Sequence, residues 1–112
     1  MIQIEEVVSD YNDYIHRIPA GCSQIVRFIN ENRISEALEM VVDFSEGITW
    51  LTSARSYLEA EGITLDWKEN QVTDFLNEIN SGLEVGDFVI VSDIFEYEII
   101  PFFKGIKNIA SN

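Results

Sequence analysis

The chain has 112 residues, 46% of them hydrophobic and 12% aromatic, with twenty acids against seven basic residues and a formal charge of −13. This is enough apolar surface for one buried core and too much for a disordered chain, so a single domain over residues 1–112 is expected. The charge repels phosphates and anionic lipid heads, which sets nucleic acid and membrane surfaces aside as partners.

With one cysteine, Cys22, no disulfide can form within the chain, and the cytoplasm, a reducing compartment, is the expected location. The stretch MIQIEEVVSDYND opens on acids, without the basic region and apolar run of a secretory signal. No apolar run approaches the roughly 18 residues of a membrane span.

Apolar or small residues at Ile4, Val7, Tyr11, Tyr14, Ile18, Gly21, Ile25 and Phe28 step by three and four without slipping. Because the phase survives Pro19, the spacing predicts one long helix from about residue 3 to 31, kinked at the proline, with a break at IPAG as the alternative. Asn32 is the expected N-cap of a second helix reaching about residue 61, whose stripe is Ala37, Val41, Phe44, Ile48, Leu51 and Leu58. Gly62 suits the left-handed position that closes it, and Asp66 with Glu69 reads as a capping box opening a third helix with Val72, Leu76, Ile79 and Leu83 inward.

The segment DFVIVSDIFEYEIIPFF, residues 87–103, has no partner strand in the chain and is therefore expected to be helical. Capped by Asp87, it aligns Phe88, Val91, Phe95, Ile99, Phe102, Ile106 and Ile109, with Ile90, Ile94 and Tyr97 widening the stripe and Pro101 kinking it. Together these elements predict an all-α fold, an up-and-down antiparallel four-helix bundle with long, kinked first and fourth helices. A three-helix arrangement with a hairpin is the alternative. The third helix, about 17 residues, would span about 25 Å of a bundle about 40 Å long. The uncovered apolar surface would be closed by the EGITLD loop, a second copy of the chain or a partner helix.

Few residues carry recognisable chemistry. The single histidine, His16, has no glutamate three positions before it, so the carboxylate di-iron pattern fails and no metal or other cofactor is expected. His16 is read as a surface or boundary residue and Cys22 as a small buried hydrophobe. Acid pairs such as Glu5 with Glu6 and Glu59 with Glu61 are read as solvated faces.

The positions Asp93, Glu96, Tyr97, Glu98 and Pro101 of SDIFEYEIIPFF resemble a segment of an uncharacterised family of small acidic bacterial proteins. The resemblance implies an all-helical fold and brings no activity. Helical spacing places Asp93, Glu96 and Tyr97 on one face, with Glu98 turned away from Asp93. The expected function is a non-enzymatic protein-interaction module of the adaptor, small-chaperone or anti-factor type. Asp93, Glu96, Tyr97 and Glu98 are its candidate partner-binding residues, facing a protein with a basic or amphipathic segment. Wide apolar stripes also leave room for a homodimer. The alternative is a ligand binder or enzyme with a bundle-core pocket lined by Tyr11, Tyr14, Trp50, Tyr57 and Tyr97.

Overall fold

The structure, a computed structural model, describes residues 3–110. Among them every regular element is helical and there is no strand. Helix α1 is Ile4–Asn30, α2 is Ile34–Ala60 and α3 is Glu69–Glu84. Helix α4, residues 88–104, is one continuous helix with three parts: α-helical over Phe88–Asp93, π-helical over Ile94–Ile99 and α-helical again over Ile100–Lys104.

Helix α1 runs unbroken through Pro19, so the IPAG break does not occur. The buried residues of α2 are the six of its sequence stripe plus Ala54. On α1 the buried line is Val8, Tyr11, Ile15, Ile18, Cys22 and Ile25, with Val26 beside it, while Tyr14, Gly21 and Phe28 lie half-buried on its flank. Tyr11, Ile18 and Ile25 of the expected stripe are thus buried, and the positions alternating with them shift by one residue, from Val7, Tyr14 and Gly21 to Val8, Ile15 and Cys22. Both lines keep the three-and-four spacing, and contact with α2 and α4 selects between them.

Helices α1, α2 and α3 end alike. The residue after each C-cap, Asn32, Gly62 or Gly86, has φ of 60°, 88° or 69°. The next amide reaches back to close a six-residue loop: Arg33 to Phe28, Ile63 to Leu58 and Asp87 to Gly82, at 2.8, 3.0 and 2.9 Å. These paired bonds satisfy carbonyls that the helix end would otherwise orphan. Asn32 thus closes α1 instead of capping α2, whose N-cap is Arg33. Asn competes for both roles, because its short amide also tolerates the left-handed region. Asp87 is the expected cap of α4, its Oδ1 accepting from the Ile90 amide at 3.0 Å.

Helix α3 begins later than expected. Its N-cap is Lys68, whose amide donates to Gln71 Oε1 at 2.7 Å, in place of the Asp66–Glu69 box. This frees Trp67 from the helix. It is 2% exposed in the core, its indole Nε1 donates to the Tyr11 hydroxyl at 2.6 Å, and Arg55 Nη2 donates to its carbonyl at 2.7 Å. With Ile63 and Leu65 half-buried against the core, the chain's own loop packs under the start of the short helix. The Arg55 guanidinium also stacks over the Trp67 ring at 5.0 Å and pairs with Glu59 at 2.8 Å.

Each helix neighbours the next, and α4 returns to α1, so the four surround one core. Phe44 of α2 and Phe95 of α4 meet across its middle, ring centroids 5.2 Å apart. Helix α4 stops at Lys104, before the expected Ile106 and Ile109. The segment beyond is clasped by Asn12, whose side-chain amide donates to the Ile109 carbonyl at 2.9 Å and accepts from its amide at 2.8 Å.

Candidate functional site

Two surfaces concentrate polar and aromatic groups, the π turn of α4 and the groove between α1 and α2. The π turn lies immediately before Pro101. A proline has no amide hydrogen, and in an α-helix its ring would press on the carbonyl four residues back, here Tyr97. In the π turn the Ile100 amide instead bonds Phe95, five residues back. The carbonyls of Glu96 and Tyr97, which Pro101 cannot serve, belong to exposed residues. Longer turns also make the buried line step by fours, through Val91, Phe95, Ile99 and Phe103. Phe103 is therefore 1% exposed and Phe102 only half-buried, the reverse of the expected pattern. Ile90 and Tyr97, expected to widen the apolar stripe, are 47% and 69% exposed.

Asp93, Glu96, Tyr97 and Glu98 are all exposed, but they do not converge. Glu96 lines a cavity of about 400 Å³ with Val26, Arg27, Asn30 and Ile100, on the α1 side of the helix. Glu98 lies toward α3, where its charge acts on Glu78. Desolvation, then the charges of Glu98 and Asp74, raise the Glu78 carboxyl above its ordinary range. Tyr97 stands between the two acids. The sequence offered Pro101 as the one clue to this geometry, and a helical wheel at 3.6 residues per turn conceals it.

The five aromatic residues considered for a core pocket also separate. Tyr11 is buried with Trp67, Tyr97 stands on α4, and Tyr14, Trp50 and Tyr57 line the surface groove between α1 and α2. That groove exists because Gly47 lets α1 approach closely. A Cβ there would lie 1.5 Å from the Tyr14 hydroxyl oxygen. An isolated glycine between Phe44 and Ile48 was the available sequence signal for such an approach. Tyr14 and Trp50 meet edge to face, centroids 5.6 Å apart. Burial, then Cys22, raise the Tyr14 phenol, with Arg17 opposing.

His16 is exposed at a cavity with Pro19, Phe103 and Lys104. Cys22 is 1% exposed, and burial pushes its thiol up to about 12, far from a reactive thiolate. Among the described residues no three His, Cys, Asp or Glu side chains are grouped so as to hold a metal ion, and no helix is long and apolar enough to cross a membrane.

Fold and surface together define a small all-helical domain with an acid-flanked aromatic turn. The chain belongs to the DUF8042 family, a domain of unknown function, whose model matches residues 6–109. The resemblance of its SDIFEYEIIPFF segment to an uncharacterised family agrees with that membership. No curated protein and no solved structure matches the chain.

Proposed function

We propose that the chain is a non-enzymatic interaction module that holds a protein partner on the exposed face of the α4 π turn, in the cytoplasm. The observation that carries this reading is Tyr97, a large aromatic side chain 69% exposed between Glu96 and Glu98. Aromatic anchors dominate interface energetics, and π turns often mark functional surfaces. Acids on both flanks favour a partner with basic residues around an apolar or amphipathic segment, through faster encounter and specificity. The cytoplasmic setting is favoured by a single, buried thiol.

The scaffold of this reading is an up-and-down antiparallel bundle in which Pro19 and Pro101 bend the first and fourth helices. It is supported by the ring of neighbours α1, α2, α3, α4 and by the short links at residues 31–33 and 85–87. The test uses the full chain as bait against extract of its source cells, beside an Asp93→Lys/Glu96→Lys variant and Tyr97→Ala, each checked for folding by circular dichroism. A stoichiometric partner retained by the native chain and lost from both variants is expected. Unchanged capture by the variants removes these residues as contacts.

A further inference from the structure

The α1–α2 groove lies on a surface separate from the π turn. Two cavities lie along it, of about 340 and 350 Å³. One is lined by Asp10, Asp13, Tyr14, Arg17, Gly47 and Trp50, the other by Glu6, Asp10, Trp50, Ser53 and Tyr57 among others. Asp10 and Trp50 belong to both, so the cavities are adjacent.

The sequence spacing keeps each wall of the groove on one helix. Glu6, Asp10 and Asp13 recur every three or four residues along α1, and Trp50 and Tyr57 are seven residues apart on α2. Seven helical residues rise about 10 Å. The groove therefore offers two aromatic rings about two helical turns apart, faced by two acids, Glu6 and Asp10, about one turn apart on α1, with the small residues Ser53 and Ala54 in the lining between the rings. Carboxylates beside aromatic rings are the two groups that attract a protonated amine or guanidinium most strongly. Trp50 is 40% exposed and so within reach of an incoming side chain.

The groove also has a direction. Arg17 is held by Asp13 at 3.0 Å and neutralises that end, so the attraction for a cation is concentrated at Glu6 and Asp10. It is open along its length, which suits a polypeptide laid into it better than a small cation that needs enclosure.

We propose that this groove binds a basic amphipathic helix of a partner protein, seating two lysine or arginine side chains at i and i+7. One lies over Trp50 beside Asp10, the other over Tyr57 beside Glu6. An acidic, aromatic groove is complementary in charge to such a helix, and the spacing of its two subsites sets the spacing of the cations.

The test uses the full chain and a helical peptide of about 16 residues carrying lysines at i and i+7 on an otherwise leucine and alanine face. An isomer with the same composition has its lysines on opposite faces. Binding is followed by calorimetry and by tryptophan emission, in which buried Trp67 is a fixed background and Trp50 the reporter. The native chain is expected to bind the first peptide with a shift in Trp50 emission, and the isomer at least about tenfold more weakly. Glu6→Gln with Asp10→Asn, and separately Trp50→Leu, should each weaken binding about tenfold or more. Trp50→Leu keeps apolar area while removing the ring. A charge-matched pair on exposed sites elsewhere, Glu39→Gln with Glu84→Gln, should stay within about twofold. The proposal is overturned by equal weakening in the control pair, which would mean only the general field of an acidic protein. Equal affinity for the two isomers, unchanged affinity in Trp50→Leu, or no saturable binding at low salt would overturn it as well.

Discussion

Tyr11 and Tyr14 stand nearly one turn apart on α1, and each meets a tryptophan, but the two pairs do opposite things. Tyr11 and Trp67 are buried at 0% and 2% exposure and joined by a 2.6 Å hydrogen bond across 56 residues of sequence. Tyr14 and Trp50 touch only edge to face, on a groove where Trp50 remains 40% exposed. The first pair fastens a loop to the core. The second lines a surface. Position relative to the apolar line of α1, and not residue type, decides which role each tyrosine takes, since one residue's rotation of that helix would exchange them.

The contrast can be broken most forcefully at the tryptophans. Trp67→Ala removes a buried indole and leaves both the Tyr11 hydroxyl and the Arg55 stack without their partner, so a loss of about 3–5 kcal/mol is expected in urea unfolding. Trp50→Ala should cost only about 0.5–1.5 kcal/mol, the scale of one edge contact. Equal losses would dissolve the distinction. Gly47→Ala comes next, because the new methyl must displace the Tyr14 ring or push α1 from α2. A cost of about 1–3 kcal/mol is expected, largely abolished in a Tyr14→Ala background, as a double-mutant cycle would show. The smallest contrast is between hydroxyls. Tyr11→Phe leaves the Trp67 N–H buried without an acceptor and should cost about 1–3 kcal/mol. Tyr14→Phe, on a half-buried flank, should stay within about 0.5 kcal/mol.

Much of this architecture was legible in the sequence. The stripe of α2, the glycine closure at Gly62 and the Asp87 cap are each fixed by a local rule with no strong competitor. Where two local rules overlap, the chain alone could not choose. Asn32 suits an N-cap and a left-handed closure equally, and α1 carries two adjacent apolar lines. Trp67 was hidden because Asp66 and Glu69 match a cap signature that Lys68 and Gln71 displace. The acids Asp93, Glu96 and Glu98 lie on the surface, whereas Tyr97 was expected in the apolar stripe, and the separation of the acids onto two flanks depends on five-residue hydrogen bonds that periodicity does not register. The α1–α2 groove was missed for another reason. Its components were noticed as aromatic residues, and only the approach permitted by Gly47 brings Tyr14, Trp50 and the acids of α1 to one surface.

The π turn has a consequence for how chain length can vary. A π segment holds about one residue more than the α-helix spanning the same rise, so α4 carries slack that α2 lacks. Deleting one residue from α2 would turn everything beyond it by about 100° and carry Leu51, Ala54 and Leu58 off the core. Deleting one from 94–99 would let the turn tighten to α geometry, with Pro101 held inside an α-helix as Pro19 is in α1, while Phe103 keeps its inward face and Ile109 its clasp on Asn12. The segment that bears the exposed tyrosine is thus the place in the helix where loss of a residue would leave the core threaded as before.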